Sequence, residues 1–179
     1  MKNRREQLHT ELLVIKSQQG DTKAFADLVS LWQQRLWRYA FKVTGCESTA
    51  WDIVQETWAS VVKGLRKLKD ASTFPCWLFR IANNKCIDCT RHQQRQSRLN
   101  SHLEGNLKPN ATTKPDEKAD KLEAAVANLT PERKALIMLR YSQDFNISQI
   151  ARILDIPAGT VKSRLHRTVN ELRQLMERD

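Results

Sequence analysis

Glycine and proline are scarce, five of each among 179 residues, and no apolar run approaches the roughly 20 residues that span a bilayer. So few backbone breaks leave a helix-leaning globular composition. The opening MKNRREQLHTE lacks the apolar core of a signal peptide, so no membrane insertion is expected and the chain should be cytoplasmic. In that compartment Cys46, Cys76, Cys86 and Cys89 should stay reduced. Cys86 and Cys89 have zinc-ligand spacing, but no His/Cys pair follows at the usual distance, and they read as small hydrophobes on a helix.

Catalytic apparatus is missing too. There is no phosphate-cradling glycine loop and no persuasive nucleophile–base pair, and His9, His92, His102 and His166 lie in polar surroundings without acids at diagnostic spacing. No enzyme activity, metal or cofactor is expected.

Positive charge is abundant. Thirty Lys and Arg against 20 Asp and Glu give +10, which suits a polyanionic partner, nucleic acid better than a membrane surface. Met1 to Gly105 holds 17 basic and 10 acidic residues, Asn106 to Ala125 four of each, and Val126 to Asp179 nine and six. Basic ends around a neutral middle fit two modules approaching one duplex.

Helical periodicity supports an all-α fold: two small helical domains, residues 1–96 and 122–179, joined by a flexible linker over 97–121. Leu8, Leu12 and Ile15 mark a first short helix stopped by Gly20; Asp21 caps a second running through Phe25, Leu28, Trp32, Leu36 and Phe41. A third places Trp51, Val54, Trp58, Val61 and Leu65 on one face, and a fourth begins near Cys76. Ser97 to Lys121 holds Asn, Gly, Pro, Thr and Lys with few large apolar residues, hence the linker.

The C-terminal domain is a helix-turn-helix. Thr130-Pro131 has a hydroxyl cap and a proline at the first helical position; Asn146 and Gln149 form a capping box; Ile150, Ala151 and Leu154 give the next helix its buried side. On the last helix Val161, Leu165, Thr168, Val169, Leu172, Leu175 and Met176 gather on one side, with Ser163, His166, Arg167 and Asn170 opposite and Lys162 and Arg164 on the flanks. A helix anchored this way can present its polar face to a major groove, with Thr160 near backbone phosphate.

Two further faces carry polar groups. Asp52, Gln55 and Glu56 form an acidic patch in a basic protein, read equally well as a docking surface or as a solvated face. Arg80, Asn84 and Arg91, with Asp88 at the edge, share a side of the fourth helix; Arg95 and Arg98 extend it, and Lys63, Arg66, Lys67 and Lys69 precede it, a set able to clamp a nucleic-acid backbone.

These motifs, in this order, make the chain resemble a bacterial extracytoplasmic-function sigma factor of the sigma-70 family. Gly20-Asp21 with Ala24-Phe25 matches the family opening, and Ala50 with Asp52 to Glu56 matches its core-polymerase-binding helix. Phe74, Trp77, Leu78, Ile81, Ala82, Asn84, Asp88 and Arg91 match the segment that reads and helps melt the proximal promoter element; Lys67 to Thr73 match the loop that captures a flipped base. Pro131, Arg133, Ile150-Ala151, Gly159 to Leu165 and Arg167 match the domain that reads the distal element.

The resemblance implies a sigma factor that binds bacterial core RNA polymerase and directs promoter-specific initiation at the minus-ten and minus-thirty-five elements. Asp52, Ile53, Gln55 and Glu56 would dock on core; Lys67, Arg80, Asn84, Lys85, Asp88, Arg91 and Arg95 would handle the proximal element and its melted non-template strand; Thr160, Lys162, Ser163, Arg164, His166 and Arg167 would read distal double-stranded DNA. It also implies an inhibitory anti-sigma protein. The chain departs from the family at Asn146 (usually Ser or Thr), Gln149 (usually Glu) and Asp155 (usually Gly), the first two keeping the capping chemistry. The alternative is a stand-alone helix-turn-helix regulator acting without core polymerase.

Overall fold

Two glycines in the left-handed region, Gly20 at φ 96° and Gly45 at φ 75°, separate the first three helices. In the computed structural model, which describes residues 2–100 and 117–177, these are α1 (Lys2–Gln18), α2 (Thr22–Thr44) and α3 (Glu47–Gly64). Asp21 caps α2 as its sequence position requires, accepting the Ala24 N–H at 3.0 Å, and the Gly45 N–H closes its far end on the Phe41 carbonyl at 2.7 Å. Two 3-10 turns, Leu65–Lys67 and Ala71–Thr73, lead into α4 (Phe74–Asn100). The described remainder comprises α5 (Glu117–Ala127), α6 (Pro131–Ile137) with a π turn at Met138–Ser142, α7 (Ile147–Leu154) and α8 (Ala158–Glu177). Among the described residues all regular structure is helical.

The N-terminal core forms where α2, α3 and α4 turn their apolar stripes together. Leu28, Leu36, Tyr39, Val43, Val61, Phe74, Leu78 and Phe79 are essentially inaccessible. Trp32 meets Phe74 and Phe79 edge-on, each at 6.3 Å. The Tyr39 hydroxyl donates to Asn83 Oδ1 at 2.8 Å, satisfying two buried polar groups at once. Gln18 ties α1 to the 3-10 turn after α3 by donating to the Leu65 and Leu68 carbonyls, both at 2.8 Å.

Several expectations need correction. Leu8, Leu12 and Ile15 are exposed; α1 instead buries Thr10, Leu13 and Val14, and it begins at Lys2. Trp51 sits at the margin of its helix, 36% exposed. Thr130 precedes α6 with Pro131 at the first position, yet its hydroxyl makes no capping bond. Ile153 joins Ile150 as the buried side of α7, with Ala151 and Leu154 half-covered. Helix also takes in both ends of the expected linker, since α4 runs to Asn100 and α5 starts at Glu117; residues 101–116 lie outside the described ones.

The C-terminal helices do not stand apart. They pack along α2 and α4, where Phe79 meets Phe145 edge-on at 5.2 Å and Arg80 pairs with Asp155. Lys42 of α2 also pairs with Glu123 of α5. Burial of both rings makes this seam apolar at its centre and charged at its rim.

Candidate functional site

Helix α7 is set by the expected capping box: the Gln149 N–H donates to Asn146 Oδ1, and the Asn146 N–H donates to Gln149 Oε1, each at 2.9 Å. It ends at Asp155, in the left-handed conformation at φ 56° where glycine would be cheaper. That turn aims α8. Val161, Leu165, Thr168 and Leu172 are buried, with Val169 half-buried, while Leu175 and Met176 emerge at the end. Lys162, Ser163, Arg164, His166 and Arg167 are all exposed, and Thr160 is half-exposed at the start. The anchored stripe thus leaves a continuous polar and basic face.

On α4, Asn84, Asp88, Arg91 and Arg95 are exposed, as is Lys67 in the first 3-10 turn. Asp88 forms no ion pair with Arg91. Arg80 is held by Asp155 at 3.1 Å. Lys85 lies elsewhere: its Nζ donates to Glu56 Oε2 at 2.8 Å, so it belongs to the seam between α3 and α4 and not to the Arg80–Asn84–Arg91 face. Before that face, Asp70 accepts from the Ser72 N–H at 2.9 Å and the Ser72 hydroxyl at 2.7 Å. Those bonds hold its carboxyl below the usual range, with Arg152 of α7 adding to the effect.

The two faces meet. Asn84, Asp88 and Arg91 of α4 and Arg164 and Arg167 of α8 line one cleft of about 880 Å³, with Thr130 and Arg133 between them. Arg133 is paired with Glu171. Periodicity on each helix identified the residues; nothing local could show that they face the same space.

On α3, Asp52, Gln55 and Glu56 are exposed, but Ile53 is only 4% exposed and is a core residue, not a surface contact. Beside Asp52 lies an aromatic ledge absent from the sequence reading. Trp37 stacks on Phe41 at 5.3 Å, nearly parallel, and Trp51 tilts against Trp37 at 5.8 Å. The four-residue spacing of Trp37 and Phe41 was the available signal. No group of three or more metal-binding side chains occurs among the described residues, and no described helix is long and apolar enough to cross a membrane.

Comparison with known proteins gives two family matches. Residues 28–96 match the family model of sigma-70 region 2, and residues 119–172 match that of sigma-70 region 4. The chain is 35% identical over 148 residues to the ECF RNA polymerase sigma factor SigL of Mycobacterium tuberculosis, covering 79% of this chain and 82% of the relative. It is 31% identical to the ECF RNA polymerase sigma-E factor of Haemophilus influenzae, covering 96% and 99%. Among solved structures it resembles the sigma factor RpoE of Bartonella quintana in complex with the anti-sigma factor NepR (TM-score 0.70, 22% identity, 88% of this chain and 99% of that one). It equally resembles CnrH in complex with the cytosolic domain of CnrY (TM-score 0.70, 22% identity, 96% and 99%).

Proposed function

The chain belongs to the extracytoplasmic-function branch of the sigma-70 family of RNA polymerase sigma factors, and we propose that its two helical units divide docking and promoter reading between them. As a sigma factor it directs transcription initiation through core polymerase and promoter recognition, and it is a binding protein, not an enzyme.

In this reading residues 1–96 dock on core and handle the proximal element, and residues 122–179 read the distal one. Asp52 and Gln55 supply exposed polar contacts to a basic surface of core polymerase, with the Trp37–Phe41–Trp51 ledge as an apolar anchor beside them. Glu56 shares this face while bonded to Lys85. Arg80, Asn84, Arg91 and Arg95, with Lys67 before them, contact the proximal element and its melted non-template strand; Asp88 at the edge of that face repels phosphate and so favours a base-edge contact. Thr160 and Lys162 hold distal backbone phosphate, and Ser163, Arg164, His166 and Arg167 face base edges.

The observation that carries the reading is the exposed face of α8, five polar or basic side chains opposite a stripe anchored by Val161, Leu165, Thr168 and Leu172, behind a capped α7. Opening follows from geometry. By their names the two elements lie about 25 base pairs apart, or about 85 Å at about 3.4 Å per pair, whereas the two faces share one cleft here. Engaging both elements requires α4 and α8 to separate. We further propose an anti-sigma partner, because a solved structure similar to this chain is a sigma factor in complex with an anti-sigma factor.

Reconstitution with bacterial core polymerase on a randomised promoter library tests the main reading. Start sites sharing a two-part upstream motif are expected; binding of a specific duplex by the chain alone, with no gain of initiation by core, would replace it with a stand-alone regulator. Co-purification from unstressed cells tests the inhibitor: a core complex free of any inhibitory protein in every condition would remove it.

A further inference from the structure

The cleft between α4 and α8 has an electrostatic problem. Arg91 enters from α4, Arg164 and Arg167 from α8 and Arg133 from α6, and only Arg133 has a carboxylate partner, Glu171. Two other carboxylates, Asp88 and Glu132, line the space without pairing to these arginines, so with Arg133 neutralised by Glu171 three arginines face two acids and leave it positive. Asn84, Thr130 and Thr168 add neutral polar groups to the lining. Concave walls of low dielectric focus such a field and raise the local concentration of anions.

We infer that this cleft is a binding site for an oligophosphate anion, which bridges α4 and α8 and holds the two units together. A single phosphate does not suit it. The arginines come from different helices, Arg164 and Arg167 are a helical turn apart, and the volume of about 880 Å³ falls in the range of small-molecule sites. A chain of phosphates presents several oxygens in line, and guanidinium groups take such oxygens two at a time. Because the ligand touches both units, it binds only when they are together, and mass action then favours the closed chain. Both a free nucleoside triphosphate and a DNA backbone carry the required chemistry. The binding claim stands without the promoter-reading assignment. The consequence rests on that assignment: an oligophosphate on Arg91, Arg164 and Arg167 competes with promoter DNA.

The test uses the full chain with inorganic tripolyphosphate, without polymerase or DNA, so the docking and promoter assignments do not enter it. Titration calorimetry at fixed ionic strength should give one equivalent bound. Affinity should fall at least tenfold in Arg91→Gln and in Arg167→Gln, yet stay within twofold in Arg38→Gln, which removes the same charge outside the cleft. Tripolyphosphate should also shorten the distance between fluorophores placed on the two units, and sulfate at matched ionic strength should not. Binding of several equivalents, equal losses in all three variants, or absence of heat would each overturn the proposal, as would a fluorophore distance indifferent to tripolyphosphate. A nucleoside triphosphate that displaces tripolyphosphate, when a short non-promoter duplex of equal phosphate concentration does not, identifies the free nucleotide as the source; the reverse identifies DNA.

Discussion

Arg80 Nη2 on α4 lies 3.1 Å from Oδ2 of Asp155, the left-handed residue that closes α7. A residue assigned to the proximal promoter element is thus paired with the turn of the helix-turn-helix. The two side chains are 47% and 80% exposed, so the pair itself contributes at most about 1 kcal/mol. The cohesion of the seam comes instead from Phe79 and Phe145, whose rings are buried edge-on beside it.

These contributions separate by mutation. Asp155→Gly removes the pair but relieves the strain of a non-glycine residue at φ 56°, so stability should change by less than about 1 kcal/mol. Phe145→Ala should cost about 3–5 kcal/mol, the usual range for a buried ring. Denaturant melts give both values, and small-angle scattering should show a larger radius of gyration for the second variant alone. Unchanged scattering for Phe145→Ala would mean that other contacts hold the units together.

The docking helix offers a sharper contrast between neighbours. Asp52→Lys changes an exposed residue and should leave stability within about 0.5 kcal/mol while weakening core polymerase binding at least tenfold. Ile53→Ala, one residue on, should lower stability by about 2–5 kcal/mol through the cavity it leaves. Its core affinity should be unimpaired at temperatures where it remains folded. Melting curves paired with a core-binding titration distinguish the two, and loss of binding in folded Ile53→Ala would restore it as a contact.

That contrast shows what was legible beforehand. Capping is local chemistry, so Asp21, the Asn146–Gln149 box and the turn at Asp155 could be read from a few adjacent residues. Periodicity located the stripe of α8 because only one apolar side exists there. On α1 and α3 two apolar stripes lie next to each other, and the choice between them depends on partners distant in sequence. Hence periodicity marks Leu8, Leu12 and Ile15 on α1 although they are exposed, groups Trp51 with the apolar face of α3 although it is 36% exposed, and cannot tell that Ile53, which the resemblance includes in the docking set, is buried. The Lys85–Glu56 bond, 29 residues apart, and the meeting of α4 with α8 are equally invisible to local patterns.

The four cysteines should differ in reactivity with pH. Hydrogen bonds from Ser48, then Thr49, at the start of α3 bring the Cys46 thiol down to about 7, whereas burial pushes Cys86 up to about 12. Because the thiolate is the nucleophile, alkylation of Cys46 should be slow below pH 7, half-maximal near it and level above, with Cys86 silent throughout. Ser48→Ala should move the Cys46 midpoint upward. Peptide mass spectrometry after timed iodoacetamide exposure reads each site, and a Cys46 midpoint near the ordinary 9.0 would contradict the geometry.

The face of α8 makes the most discriminating case, because phosphate and base contacts fail differently. Lys162 is assigned to a phosphate, so Lys162→Ala should weaken every sequence about equally and reduce the slope of log affinity against log salt by about 0.9. Arg164→Ala and Arg167→Ala should each cost about 1–3 kcal/mol at one base pair of the distal element and little when that pair is already wrong. All three side chains are exposed, so none of these variants should shift the melting temperature appreciably. Holoenzyme binding to a promoter set with single substitutions in the distal element, repeated at several salt concentrations, measures both signatures at once. A salt slope unchanged by Lys162→Ala, or a uniform loss in the arginine variants, would exchange their roles; if none of the three changed affinity, the distal element would have to be read by some other surface than α8.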